Sequence, residues 1–361
     1  AILMRSKKFI LLVIFVVLLL SQIPFAYRRY KLHRLSATIN QLQSQRTQQQ
    51  TNGFTEYKGV VHVHSFLGGH SSGTFSEIIS AAQANQLQFV IMTEHTEKDF
   101  DTAGMTLQGV HGGVLFINGN EVSQENGDRL LVLPRDISIA AYPLEFKNWD
   151  SARLNGVEVY NVFTNAKLVN PVVAFFDVLW SQRSYPDLIF ALYLQRPDES
   201  LKKWDQALTH ARLTATGGND AHANIGVSLK DSSGKTLLGI QLDPYATSFR
   251  LVRMHVLIEQ GKAFDETSLM DALRAGHCYI GFDFLCDPSG FVFEAKNGKI
   301  QGDDVSLDAT TLLRVRTPVP GRIVILKDGA VWVDESGIAS KEVAISERGI
   351  YRVEIYELGL A

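Results

Sequence analysis

The sequence predicts an α/β protein: strands and helices alternating in a barrel or doubly wound sheet, behind a transmembrane helix and ahead of a small β-sandwich. Three observations predict it. Residues 9–27 read FILLVIFVVLLLSQIPFAY without one charge. After Gly53, short apolar runs alternate with stretches of helical spacing. From about residue 286 the pattern changes to alternating strands separated by Gly, Asp and Pro turns.

A chain of 361 residues is long enough for one large α/β barrel and a small extra domain. A net charge of -3 gives no electrostatic footing for nucleic acid, so no nucleic-acid partner is expected. Two cysteines, Cys278 and Cys286, make neither a disulfide framework nor a thiolate zinc site.

The first element is the apolar run. About 19 residues at 1.5 Å rise cross roughly the 30 Å hydrocarbon core of a bilayer. Arg5, Lys7 and Lys8 precede it, and Arg28, Arg29, Lys31 and Arg34 follow. A cleaved secretory signal is the competing reading. The run is long for one and no clear A-x-A site follows, which favours a retained single-pass anchor over residues 1–34. The balance of flanking basic residues leaves the orientation nearly tied, with the folded domain expected on the extracytoplasmic side. Residues 35–52 are polar and Gln-rich, suited to a spacer or to a continuation of the helix.

The main domain is expected over 53–285. VVHV (60–63) reads as a strand, and Thr74-Phe75-Ser76-Glu77 as a capping box opening a helix to about Gln86. QFVIMT (88–93), VLFIN (114–118), LLVL (130–133), SIAA (138–141), VEVY (157–160) and LTATG (213–217) read as further strands, and 171–182 and 199–211 carry helical spacing. FVFEA, TLLRVRT, GRIVILKDG, VWVDE, KEVAIS and YRVEIYEL make up the expected sandwich over 286–361, about 75 residues.

The polar clusters recur at one place, the C-terminal ends of strands. His62 and His64 close the first, Glu94 and His95 follow the second, Glu121 the third, and Asp220 and His222 the strand at 213–217. In parallel α/β barrels those ends converge on one face. Imidazoles two apart on a strand share a side. Neutral imidazoles with carboxylates suit Zn, Mn or Fe. A close metal pair activates water and clamps the attacking and leaving oxygens, which suits ester hydrolysis. Glu94 is read as orienting a ligand rather than being one. Glu158 is a pocket candidate without an assigned role, and His111, His210, His255 and His277 fall in no ligand pattern. Gly217-Gly218 would let the backbone pass close to the site.

VVHVHS (60–65), SGTFSEI (72–78), FVIMTEHTE (89–97), INGNEVS (117–123) and TGGNDAHANIG (216–226) resemble the successive motifs of the polymerase and histidinol phosphatase (PHP) superfamily. The branch containing carbaryl-hydrolase-like proteins is the nearer match, and the resemblance covers most of 57–285. It implies a distorted seven-stranded β/α barrel with up to three metals at its C-terminal mouth. It implies one metal site made by His62, His64, Glu121 and Asp220, and another by His70, His95 and His222. In the middle site the family adds two histidines to Glu121; here those positions hold Arg129 and Tyr142.

That departure leaves three readings. In the first, two divalent cations (Zn, Mn or Fe) serve a phosphoesterase, with Arg129 binding an anionic small-molecule substrate and Tyr142 positioning it. In the second, the substrate is a carboxyl ester, amide or carbamate. In the third, the chain is a membrane-anchored module that binds metal or ligand without catalysis.

Overall fold

A computed structural model describes residues 2–47, 51–149, 153–166, 169–223, 226–230, 236–241, 243–295, 298–308 and 311–356. The chain begins with α1 (Ile2–Ser44), one helix running through Pro24. From Lys8 onward it is long and apolar enough to cross a membrane. Of the two options for the polar stretch, 35–44 takes the helical one. The reason is packing: Leu32 and Ile39 on the distal half are buried. Helix propensity alone would not hold so polar a segment.

The elements that follow are β1 (Phe54–Val63), α2 (Phe75–Ala84), β2 (Phe89–Met92), β3 (Glu94–His95), α3 (Thr102–Met105), β4 (Gly109–His111), β5 (Val114–Ile117), β6 (Asn120–Ser123), β7 (Arg129–Leu133), β8 (Ile137–Ala141) and β9 (Gly156–Asn161). Next come α4 (Val162–Ala166), α5 (Pro171–Ser181), α6 (Asp198–Leu208), β10 (Thr214–Gly218), β11 (Gly226–Lys230), β12 (Thr236–Gln241), α7 (Tyr245–Leu251), β13 (Arg253–Glu259), α8 (Glu266–Ala275) and β14 (Cys278–Gly281). The last four strands are β15 (Val292–Ala295), β16 (Leu312–Lys327), β17 (Ala330–Ala344) and β18 (Tyr351–Tyr356). The capping box at α2 forms in both directions: Thr74 Oγ1 accepts from the Glu77 amide, and Glu77 accepts from the Thr74 amide.

The expected α/β architecture is present, but the ladders do not close into one seven-stranded ring. Twelve of the described strands form two open six-stranded sheets, ordered β14-β13-β1-β2-β5-β4 and β10-β9-β8-β7-β6-β3, while β11 and β12 pair only with each other. The physical reason is a step in two strands. After Met92 and after Ile117 the chain jogs and continues in the other sheet, as β3 and β6. Gly119 sits at one jog, where a Cβ would lie 2.8 Å from the Val132 carbonyl oxygen. The sheets meet where β1 ends. Val63 bridges Ala221, Asn219 donates to the Val61 carbonyl at 2.9 Å, and His64 donates to the Ala221 carbonyl at 3.0 Å.

Two apolar layers line the first sheet. Val61, Phe89, Ile91, Leu115 and Ile117 pack with Met254 and Val256 of β13 and with α8. Val60, Val90, Met92 and Phe116 face α2 and α7. The split follows the two-residue period of a strand buried on both sides.

The C-terminal region is one four-stranded antiparallel sheet rather than a sandwich of two, with β15, β17 and β18 all paired to β16. TLLRVRT and GRIVILKDG are one bent strand, with register shifts between Arg316 and Ile323. The bend lets this sheet gather Phe291, Val315, Ile323 and Ile325 into a core, against which Tyr279 of β14 packs from the first sheet. Its hairpin turns at Asp328-Gly329, both with positive φ, the turn that matches strand twist.

Candidate metal centre

Four stretches bring their polar side chains to one buried place. His62 and His64 come from the end of β1, His95 from β3, Glu121 from β6, and Asp220 and His222 from the turn after β10. Strand periodicity does not align the first two. β1 breaks register between Val61 and Val63, and His62 takes a left-handed φ of 67°. The imidazoles still meet, with ring centroids 5.0 Å apart. Asp220 and Tyr142 also lie in the left-handed region, at 49° and 50°. Such conformations in residues with a Cβ cost about 1–3 kcal/mol each and persist only where surroundings enforce them.

The contacts divide each carboxylate into an inward and an outward oxygen. Glu121 Oε2 faces His62 Nε2 at 3.4 Å, His64 Nε2 at 3.5 Å and His95 Nδ1 at 3.4 Å. Its Oε1 accepts from Arg129 at 2.9 Å. Asp220 Oδ1 faces His62 Nε2 at 3.5 Å, His64 Nε2 at 3.4 Å and His222 Nδ1 at 3.3 Å. Its Oδ2 accepts from the Tyr142 hydroxyl at 2.6 Å and from Asn161 at 3.2 Å. Both nitrogens of His64 and Asp220 Oδ1 are buried with no hydrogen-bond partner. Buried polar atoms left so are costly and ask for an explanation.

The sequence-predicted ligands converge with one exception. The donor atoms that come within 4.8 Å of one another make two groups, His62–His64–Asp220 and His64–His95–His222. His70 stands exposed at the rim, its ring edge-on to His95 with centroids 4.9 Å apart. The second group holds His64 with the His95 and His222 that the resemblance implied. The rings of His95 and His222 stack on that of His64 at 4.5 and 4.2 Å. Glu94 accepts from the Ser65 amide and hydroxyl and from the Thr106 hydroxyl, and so ties down the turn after β1.

Two contributors carry weaker sequence signals. Glu158 Oε1 lies 2.6 Å from His62 Nδ1, both wholly buried, and Asn161 donates to Glu158 Oε2 at 3.0 Å. The available signal was a carboxylate inside the apolar strand VEVYN. Its partner was beyond reading, because 96 residues separate it from His62. Gly218 makes this contact feasible, since a Cβ there would lie 1.8 Å from Glu158 Oε1 and 3.1 Å from His62 Cβ. Gly218→Ala is expected to destabilise the fold by about 1–3 kcal/mol through overpacking. Denaturant titration with an unshifted midpoint would show that Glu158 can move aside.

Burial opposes charge throughout the cluster, and the neighbours decide each outcome. It pushes His64 down to about 3 against the pull of Asp220, leaving a neutral imidazole. Burial also disfavours a charged His62, but Glu158 and Asp220 outweigh it and hold His62 well above its ordinary value. Burial resists ionisation of Glu121 as well, yet the hydrogen bond and charge of His62 hold it at about 2. Asp220 is likewise kept ionised, mainly by His62, against its burial. Tyr142 is driven far up by burial and then by Asp220, so it remains a phenol and donates.

The donor set suits a divalent cation. His64 is a neutral imidazole whose Nε2 stands 3.5 Å from Glu121 Oε2 and 3.4 Å from Asp220 Oδ1, separations that suit donors placed around one shared ion. A third close group, His255, Asp283 and Asp287, does not suit one. Both His255 nitrogens are engaged, by Glu56 at 2.6 Å and Asp283 at 2.9 Å. Lys58 and Arg253 balance the aspartates.

No protein-family model matches this chain, and no curated protein does. Among solved structures, the chain is similar to a two-domain protein containing a predicted PHP-like metal-dependent phosphoesterase from Bacteroides vulgatus ATCC 8482. Identity is 13%, the match covers 86% of this chain and 89% of that one, and the TM-score is 0.37. It is also similar to PsfC from Pseudomonas syringae PB-5123, at 13% identity over 63% of this chain and 92% of that one, with a TM-score of 0.38.

Proposed function

We propose that the chain is a membrane-anchored, metal-dependent hydrolase, a phosphoesterase in its first reading, with cations held by His62, His64, His95, Glu121, Asp220 and His222. One observation carries it: His64 Nε2 and Asp220 Oδ1, both buried and without a hydrogen-bond partner, face each other at 3.4 Å across the meeting point of the two sheets. The PHP-like motifs support the same reading. The continuation of β2 into β3 and β5 into β6, with the Val63–Ala221 bridge, brings strand ends of both sheets to this one place.

A divalent cation, Zn, Mn or Fe by donor type, would supply Lewis acidity and activated water at neutral pH. The protein's own groups prepare for it. Glu158 engages His62 Nδ1 and so turns Nε2 toward Glu121 and Asp220. Asn161 fixes Glu158 and Asp220 relative to each other. Arg129 brings a positive charge to Glu121 in the region of the family's middle site. That charge repels a third cation, which favours two. The guanidinium is partly exposed and packs over the Tyr142 ring, a position suited to an anionic substrate group at the rim. Tyr142 holds Asp220 in place as a donor, not as a ligand.

A carboxyl ester, amide or carbamate is the second reading. It is favoured by the Arg129–Glu121 contact, which already neutralises the cation a phosphate would need. A panel of aryl phosphates and aryl esters separates the two. With Arg129→Ala, a raised KM for the phosphates alone supports the first reading, and an unchanged KM supports the second.

Anchoring rests on α1. Residues 9–20 are exposed and apolar, while Gln22, Arg28 and Arg29 bond to the folded domain and Phe25 packs on it. A segment that signal cleavage would cut into is thus part of the packing. Metal analysis of the purified full chain is expected to give about two equivalents, lost on His62→Ala or His222→Ala. No metal after reconstitution would leave a binding module in place of an enzyme.

A further inference from the structure

Helix α5 is polar inside and apolar outside. Asp177 is 1% exposed, with its carboxylate 2.9 Å from Arg28 Nε and bonded by the Tyr193 hydroxyl. Ser181 is buried as well. Val172, Phe175 and Leu179, spaced to share one stripe, are 64, 63 and 68% exposed. A helix on a water-facing surface turns the opposite way.

The position of α5 says what covers the stripe. It meets α1 where the apolar run ends: Phe176 packs on Phe25 with ring centroids 4.9 Å apart, Trp180 donates to Gln22 at 3.0 Å, and Arg29 reaches the Trp180 carbonyl. Around this junction lie Arg28 over Tyr193 and Arg29 over Tyr185. Aromatic and basic side chains gather in this way at the boundary between headgroups and hydrocarbon. The exposed stripe of α5 therefore continues the exposed apolar surface of α1. With 11 residues, about 16 Å of helix, α5 is too short to cross a bilayer.

We infer that α5 is a second membrane contact: an interfacial helix whose Val172, Phe175 and Leu179 enter the lipid surface beside the point where α1 emerges. The inference rests on the reading of α1 as a membrane span. One span alone lets a domain swivel; two contacts fix its orientation. The fixed orientation bears on the site, because the excursion carrying α5 starts immediately after Asn161, whose amide holds Asp220.

The test uses full chain in lipid bilayers with a polarity-sensitive thiol probe at Phe175→Cys, Leu179→Cys, Ile14→Cys or Ser336→Cys. Both native cysteines are buried, and Ser336 is exposed on β17. Lipids with a spin label near the headgroup, lipids with one deep in the chain, and aqueous iodide serve as quenchers. The expected result is loss of signal to the shallow label and a blue-shifted emission at both α5 positions, loss to the deep label at Ile14→Cys, and loss to iodide at Ser336→Cys. Iodide quenching at both α5 positions, with Ile14→Cys still quenched by lipid, would overturn the α5 inference and leave the anchor standing. Iodide quenching at Ile14→Cys would remove the anchor and this inference with it.

Discussion

Asp220→Ala is expected, on the proposed function, to abolish most metal binding and to lower hydrolysis by more than about 100-fold. The size follows from geometry. Asp220 Oδ1 is the one carboxylate oxygen that faces His62, His64 and His222 together. Removing it also leaves the Tyr142 hydroxyl without its acceptor. Glu158→Gln is expected to cost less, about 10–100-fold, because it loosens His62 without removing a donor that faces the cation. Metal content and turnover, with circular dichroism as a check on folding, measure both variants. Full metal content in Asp220→Ala would take this residue out of the ligand set.

The second large effect lies away from the site, at His255. Its wholly buried ring stacks on Tyr279, with centroids 4.7 Å apart, between the Glu56 and Asp283 carboxylates. Burial opposes its charge, but hydrogen bonds to Asp283 and Glu56 prevail and push it up to about 9. The groups around it are Lys58 on Asp283 and Asp287, Arg253 on Asp283, and the Tyr279 hydroxyl on Glu56. A folded value near 9 against an ordinary 6.5 gives stability present in full below about pH 6.5 and lost as pH rises through about 9, about 3 kcal/mol in all. Denaturation of the full chain across that window, compared with His255→Gln, reads the difference. Parallel loss in both proteins would assign the pH dependence to other groups.

Much of the frame was legible in the sequence because it depends on local pattern. The apolar run, the Thr74–Glu77 capping box, the short strands and the β-rich tail each announce themselves within a few residues. Other features were not legible. A 16-residue strand bent through register shifts looks in sequence like two strands, so one sheet resembles a sandwich. β13 is buried along nearly its whole length, Arg253 and His255 included, so its polar residues do not mark a solvent face.

The candidate site divides along the same line. The sequence by itself determined which imidazoles and carboxylates are available and that they stand at strand ends, because motif spacing is a one-dimensional property. Only the tertiary structure decided how they pair. It grouped His64 with His95 and His222, left His70 at the rim beside His95, placed Glu158 behind His62, and set Arg129 and Tyr142 on the outward oxygens of Glu121 and Asp220. These contacts join residues as far apart in the chain as His64 and His222, through left-handed turns at His62, Tyr142 and Asp220. Such conformations are stable only when the rest of the fold holds them, so no local pattern can announce them.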